Sequence, residues 1–292
     1  MIGNAKELIK DARMNHYALA GINATTYEGI QAVLRAAEKI GMPVMLSFAQ
    51  VHEPFAPIET FGKLMYEMAE KAKVPVILHL DHGVDYSYLI KAVRVGFNSI
   101  MYDCSRFPYE ENVSKVKNFT QLAHKLGIIV ESEVGVMPGN IKGQTGYGEA
   151  SSDDFDISQY FTKPDMAKRF VEETGTDLLT VSFGTVHGFF VKKPVLSISL
   201  VNEIKKIVDC GLVMHGTTGV DEQQIIAAKD AGICKFNYFT GVGTAASNDM
   251  VNYIKQSDSP VYYHEVAQLA TEIMQKKAEH MIELLGNGVK NS

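Results

Sequence analysis

Hydrophobic and polar positions along this chain switch repeatedly between two periods, and the switching predicts the architecture. Eight short apolar runs read as strands: Tyr17–Ile22, Pro43–Phe48, Val74–Leu80, Ser99–Tyr102, Ile128–Val134, Leu178–Phe183, Leu212–Met214 and Cys234–Phe239. Between them lie amphipathic stretches with helical character: Thr26–Ile40, Ile58–Lys73, Ser87–Val95, Glu110–Leu126, Pro164–Thr174, Ile198–Asp209 and Asp221–Ala231. Strict alternation of strand and helix requires right-handed crossovers and a parallel sheet. Eight such units in 292 residues predict an α/β fold, a closed (β/α)8 TIM barrel, in preference to a doubly wound open sheet.

Local signals mark the helix ends. Thr162-Lys163-Pro164-Asp165 and Asp221-Glu222-Gln223-Gln224 read as N-capping boxes, and Gly175, Gly211 and Gly232 stand where helices should stop. Two stretches break the rhythm. Residues Gly135–Phe161 form a long glycine-rich segment, read as an active-site lid because it follows a strand that ends in two carboxylates. From Gly241 the chain reads as irregular and runs into a C-terminal helix, about Tyr263–Leu285, with Val266, Leu269, Ile273, Met274, Met281 and Leu284 as its apolar stripe. That helical extension exceeds what the eighth unit needs, and it suits either a second subunit or the barrel core. Residues 1–292 are expected to form one domain.

Composition narrows the function classes. The chain is 46% hydrophobic and 21% charged, as expected of a soluble globular protein. A formal net charge of −6 and the lack of a basic block argue against nucleic-acid binding. No apolar stretch approaches the roughly 20 residues that span a bilayer, and the N-terminus has no signal core. Three cysteines, Cys104, Cys210 and Cys234, lack metal-ligand spacing and read as reduced thiols of a cytoplasmic protein.

The chemistry concentrates at the ends of the predicted strands. His82, His187 and His215 each stand just past an apolar run and beside a glycine. Three neutral imidazoles arriving from three strand ends can hold a zinc ion and leave a fourth position open. Asp81 adjoins His82 and reads either as a proton shuttle or as an acid that orients a histidine. His79 shares a strand face with Asp81, as Glu131 does with Glu133. Asp103 stands at the same level, and whether these acids ligate a metal or support a histidine is open from spacing alone. Gly188, Gly216, Thr217, Thr218, Gly219 and Asn237–Thr240 follow strands six to eight, where barrels commonly bind phosphate.

These residues resemble the class II, zinc-dependent ketose-bisphosphate aldolases, in the group that acts on fructose and tagatose bisphosphates. The resemblance runs from about Ala5 to about Ser247, and its most specific segments are Val74–Gly83, Gly96–Asp103, Val130–Gly135, Gly184–Gly188 and His215–Gly219. It implies a TIM barrel, usually dimeric or tetrameric, that cleaves a phosphorylated ketose to dihydroxyacetone phosphate and an aldehyde through a metal-stabilised enediolate. It also implies His82, His187 and His215 as zinc ligands, Glu133 and Asp103 as acids around an alternative metal position, and Asp81 as the acid that moves the proton of the aldehyde-derived oxygen. Asn23 matches an asparagine near the substrate. Gly188, Gly216, Thr218, Asn237 and Thr240 match the cradle for the dihydroxyacetone phosphate moiety, with a monovalent cation, Na+ or K+, nearby in some members; Thr217, also placed at the substrate, forms with Thr218 a pair that replaces the commoner small one but keeps a hydroxyl. Lys235 reads as structural.

Departures from the family pattern fall on the aldehyde half and the lid. The acid that usually follows the fifth strand is missing from Val136–Lys142, and Glu149, farther along, is its candidate replacement. Ala49 stands where a serine is usual, and Cys104 where a glycine is usual. Two other functions share these features: a non-catalytic sugar-phosphate-binding subunit, and a metal-dependent sugar-phosphate isomerase or epimerase.

Overall fold

The computed structural model describes residues 1–135, 137, 156–188 and 193–286. Within them, eight parallel strands close into a barrel in chain order. They are β1 (Leu19–Asn23), β2 (Val44–Ala49), β3 (Val76–Gly83), β4 (Ser99–Tyr102), β5 (Ile129–Glu133), β6 (Leu178–Thr180), β7 (Gly211–Met214) and β8 (Ile233–Tyr238). The helices are α1 (Ala5–Asn15), α2 (Tyr27–Ile40), α3 (Ile58–Glu70), α4 (Tyr86–Arg94), α5 (Tyr109–Lys125), α6 (Pro164–Thr174), α7 (Ile198–Ile207), α8 (Glu222–Ala231), α9 (Thr240–Gln256) and α10 (Tyr263–Leu285). No helix among the described residues is long and apolar enough to cross a membrane.

Side-chain alternation divides the barrel into two environments. Leu, Ile, Val and Phe from the strands pack against the helices in the main apolar core, where Phe48, Phe119, Phe170 and Phe236 are fully buried. The lumen is polar: Ser47, His79, Ser99, Glu131 and Lys235 are all fully buried there. Such groups survive burial only when hydrogen-bonded: Ser47 donates to the Met45 carbonyl oxygen at 3.4 Å, and the other four are bonded to one another, as described below.

Several helix ends differ from the sequence reading. Asp221 caps α8 by accepting from the Gln223 amide at 3.0 Å. Thr162 does not cap α6, because its hydroxyl donates to the Val134 carbonyl and accepts from the Ser182 amide. The cap position falls to Lys163, with Pro164 opening the helix, where its missing N–H is no loss. Gly175 and Gly232 end α6 and α8, whereas Gly211 begins β7 and α7 stops earlier, at Val208. The stretch from Gly241 is helical over Thr240–Gln256 rather than irregular. Its glycines and threonines are weak helix formers, so packing against α10 and position beside β8 sustain it. Of the expected α10 stripe, Val266 and Met281 are buried, and Leu269, Ile273, Met274 and Leu284 are half-buried. The helix lies chiefly on α2 and α9, with Lys39 and Glu279 paired at 2.7 Å. Of the expected lid, positions 136 and 138–155 lie outside the described residues; Ile157–Tyr160 makes a 3-10 turn.

One irregularity positions the site. A regular strand would turn Asp81 and His82 to opposite faces. The β3–β4 pairing instead slips between Leu80 and Gly83, and His82 takes φ +44°. The slip lets both side chains face the barrel mouth. Gly83 permits it, since a Cβ there would lie 2.4 Å from Leu89 Cδ2, 2.8 Å from Leu80 Cδ2 and 2.9 Å from the Met101 carbonyl oxygen. Gly83→Ala is therefore expected to destabilise the protein by about 1–3 kcal/mol, read from the urea midpoint of unfolding. An unchanged midpoint would show that β3 accommodates the methyl group without strain.

Candidate metal centre

Three strand ends deliver the histidines to one point. His82 Nε2 lies 3.0 Å from His215 Nδ1 and 3.1 Å from His187 Nε2. The hydrogen bonds on the far sides of two rings assign their protons. His82 Nδ1 faces Asp103 Oδ2 at 2.9 Å, and His215 Nε2 faces Glu131 Oε1 at 2.8 Å. Each carboxylate calls for an N–H, which turns the lone pairs of His82 Nε2 and His215 Nδ1 toward each other. Two lone pairs 3.0 Å apart repel unless something positive sits between them.

The surrounding charges make the same demand. Burial favours the neutral ring of His82, yet Asp81 and Asp103 outweigh it and lift the pKa to about 9. Burial holds His187 and His215 below the ordinary histidine value, His187 far below. The centre is thus built for one positive charge among two neutral imidazoles. A divalent cation held by the three histidines would satisfy the same field in place of that proton. Among the described residues, two groups bring their ligand atoms within 4.8 Å of one another: His82, His187 and His215, and His82, Asp103 and Glu133. The donor sets fit different ions, all nitrogen in the first and mainly carboxylate oxygen in the second.

The acids divide into distinct environments. Asp81 accepts from Asn23 Nδ2 and Asn237 Nδ2, both at 2.8 Å. Its burial favours the neutral acid, but His82 and His215 outweigh that effect and keep it ionised, well below the usual range. Asp103 also accepts from the Ser105 amide and hydroxyl; burial is again outweighed, and its pKa falls to about 2. Glu133 accepts from the Met137 amide at 3.0 Å, yet burial and the neighbouring Asp103 raise its pKa to about 8.

Glu131 stands below this layer. Its Oε1 accepts from Thr180 at 2.9 Å as well as facing His215, and its Oε2 meets Lys235 Nζ at 2.5 Å. Burial would favour the neutral acid, but Lys235 and His215 hold Glu131 far below the carboxylate range. Lys235 also reaches His79 Nε2 at 3.0 Å, and His79 Nδ1 reaches Ser99 at 2.7 Å. His79 therefore fills the lumen beneath the site. Lys235 pairs inside the lumen, in keeping with a structural role.

The remaining sequence-picked residues line a cleft above the histidines: Asn23, Gly188, Gly216, Thr217, Thr218, Asn237 and Thr240, with Ala49 on the β2 side. Gly216 takes φ +70°, and a Cβ there would meet the Val186 carbonyl oxygen at 2.3 Å. Only glycine lets the chain turn there after His215. The Thr218 hydroxyl accepts from the Gly241 amide at 3.0 Å and joins the β7 turn to the start of α9. The positive end of α9 thereby points at this corner, which favours an anion. Thr217 Oγ1, Asn23 Oδ1, Asn237 Oδ1 and His187 Nδ1 are buried without hydrogen-bond partners among the described residues, an unusual concentration of unmet polar atoms around one cleft. Glu149 lies outside the described residues. Cys104 is buried, which pushes its thiol up to about 12 and makes it unreactive. Two cleft residues had no signal of their own in the sequence: His52, three residues past the end of β2 and not beside a glycine, and the exposed Val51.

A direct test addresses the lumen. Lys235→Met strands the Glu131 carboxylate and is expected to lower unfolding stability by about 3–5 kcal/mol. The double variant Lys235→Met/Glu131→Leu should recover part of that loss, measured by urea unfolding of the metal-stripped proteins. Equal stability of Lys235→Met and wild type would show that Glu131 finds other compensation.

Comparison with known proteins identifies the family. The family profile described as Fructose-bisphosphate aldolase class-II matches residues 3–290. A protein of Escherichia coli strain K12, named Uncharacterized protein YdjI, is 34% identical over 290 residues, which is 99% of each chain. The X-ray structure of the YdjI aldolase from E. coli K12 superposes with a TM-score of 0.86 and 32% identity over 100% of both chains. A proposed fructose-1,6-bisphosphate aldolase from Coccidioides immitis gives a TM-score of 0.84 and 26% identity over 99% of this chain and 98% of the other. The chain belongs to the class II fructose-bisphosphate aldolase family.

Proposed function

We propose that this protein is a zinc-dependent aldolase that cleaves a phosphorylated ketose, of the fructose or tagatose 1,6-bisphosphate kind, to dihydroxyacetone phosphate and an aldehyde, and joins them in reverse. The observation that carries the reading is the convergence of three imidazole nitrogens within 3.0–3.1 Å contacts, beside an ionised Asp81 and an anion-binding corner. His82, His187 and His215 would hold the ion, a donor set that suits zinc. Bound there, zinc supplies a Lewis acid for the ketone and for the charge left on it when the C–C bond breaks.

The chain's own groups account for the rest. Gly188, Gly216, Thr217, Thr218 and Thr240 receive the phosphate of the dihydroxyacetone half, at the positive end of α9; Na+ or K+ beside the phosphate would complete its neutralisation. Asn23 and Asn237 occupy one oxygen each of Asp81 and fix the plane of its carboxylate. In cleavage Asp81 takes the proton of the hydroxyl that becomes the aldehyde oxygen, and in condensation it returns that proton. Glu149 is assigned the proton exchanged at the carbon of dihydroxyacetone phosphate. Asp103 and Glu133 offer the second metal position, and His82 belongs to both groups.

The reading is tested by release of dihydroxyacetone phosphate from a panel of ketose 1-phosphates and 1,6-bisphosphates, before chelation, after chelation and after zinc is restored. Release is expected to vanish with chelator and return with zinc. No release from any zinc-loaded reaction would reject the aldolase, and isomeric sugar phosphates in place of triose phosphate would identify an isomerase. Asp81→Asn is expected to lower kcat by about 10²- to 10⁴-fold with zinc content unchanged; loss of zinc in that variant would instead make Asp81 a support for the ligands.

A further inference from the structure

Across the barrel mouth from β6, the wall of the cleft is built by the turn that follows β2. Residues Gln50–His52 form a 3-10 turn after Ala49, and side chains on both flanks fasten it. Gln50 Oε1 accepts from the amides of Val84 and Asp85 at 2.7 and 3.2 Å, while its Nε2 donates to Asp85 Oδ2 at 2.8 Å. Glu53 Oε2 accepts from the Ile58 amide at 2.8 Å and from the Tyr88 hydroxyl at 2.5 Å. These bonds tie the turn to α3 and to the β3–α4 connection, and the residue held between them is His52.

The half-buried His52 ring lines the same cleft as Asp81, His82 and His187. It lies 4.8 Å from the Phe239 ring and meets Phe48 at 6.2 Å, edge to face. Any aromatic ring would satisfy that packing. Imidazole carries two nitrogens as well, and Nδ1 is buried with no hydrogen-bond partner among the described residues. Burying an unmet polar atom is costly, and phenylalanine would fill the space without that cost. A bare buried lone pair is less costly than a bare buried N–H, so the proton belongs on Nε2. Burial keeps the ring neutral against the opposing pull of Asp81, whose charge it feels across the cleft. A neutral imidazole results, with its Nε2–H left to meet a ligand.

We propose that His52 is a specificity-determining substrate contact, whose Nε2–H hydrogen-bonds a hydroxyl oxygen on the aldehyde-derived half of the sugar. The anion corner occupies the β6–β8 side of the mouth, so a substrate anchored there and crossing the three histidines extends toward β1, β2 and β3. On that wall Ala49 offers no hydroxyl, and Val51 is apolar. His52 is the polar group that the end of β2 contributes. The assignment rests on the aldolase reading, and it makes the recognised group a polyhydroxylated aldehyde rather than an apolar one.

Two reactions separate the halves of the site. Exchange of the hydroxymethyl-carbon protons of dihydroxyacetone phosphate with deuterated water uses the metal, the anion corner and the acid assigned to Glu149, whereas cleavage of the best ketose bisphosphate uses these and the aldehyde half as well. In zinc-loaded His52→Ala, kcat/KM for cleavage is expected to fall about tenfold, chiefly through KM. Exchange should stay within about twofold of wild type. His52→Gln keeps an N–H at similar reach and should recover most of the loss; His52→Phe keeps the packing and should not. Unchanged cleavage in His52→Ala, a parallel fall in exchange, or recovery by Phe equal to that by Gln would each overturn the assignment. Wild-type protein that neither exchanges nor cleaves would overturn the aldolase itself, and the contact with it.

Discussion

Glu131 is the group on which the rest of the candidate site depends. Its carboxylate lies fully buried in the barrel lumen, where an unpaired charge would be intolerable, and each of its oxygens is engaged. Through Lys235 it draws β8 toward β5, through Thr180 it meets β6, and through His215 it sets the tautomer of a candidate ligand. One carboxylate thus joins the stability of the lumen to the orientation of the histidines above it. The same ionic layer fills space that Leu and Val would otherwise occupy, so the barrel exchanges apolar filling for a positioned set of charges.

Above that layer, charge balance explains why so many titratable groups coexist. Asp81, Asp103 and Glu133 crowd around His82, and without a central positive charge they would repel. A proton on His82 or a cation among the imidazoles answers the same field. The two candidate metal groups share His82, and a neutral ring has one proton and one lone pair. An ion held by the three histidines would take the His82 lone pair that faces them and leave Nδ1–H for Asp103. The all-histidine and acid-rich arrangements therefore compete for one imidazole. Asp81 stands apart from that competition, because two asparagines hold it and keep its charge beside the cleft.

Much of this was legible in the sequence, for identifiable reasons. Strands and helices alternate by period, so all eight strands and the terminal helix over Tyr263–Leu285 could be read to within a few residues. In a parallel barrel, residues just past the strands gather at one mouth, and His82, His187 and His215 do gather there. What escaped depends on register and on partners distant in sequence. The slip in β3 that turns Asp81 and His82 the same way leaves no periodic trace. The meeting of His79, Glu131 and Lys235 joins three strands and requires the closed ring. Thr162 has the composition of a cap, but its hydroxyl is already committed to the Val134 carbonyl and Ser182 amide. Helix α9 begins with glycines and threonines that predict no helix by themselves. His52 lacked the strand-end glycine context that singled out the other three.

The closed order of the strands has a consequence for how the protein comes together and apart. Asn23 comes from β1, Asp81 and His82 from β3, Glu131 from β5, and Asn237 from β8, with His187 on the loop after β6 and His215 directly after β7. No half-barrel contains the set, and an intermediate lacking the β8–β1 seam would hold the histidines without the Asn23–Asp81–Asn237 clasp. An ion bound at the mouth would then favour the completed ring over every partial one, and its affinity would be spent on closure. Occupancy of the centre would act as a molecular latch: departure of an ion would loosen the circle at its mouth, while the apolar shell beneath the helices would stay packed.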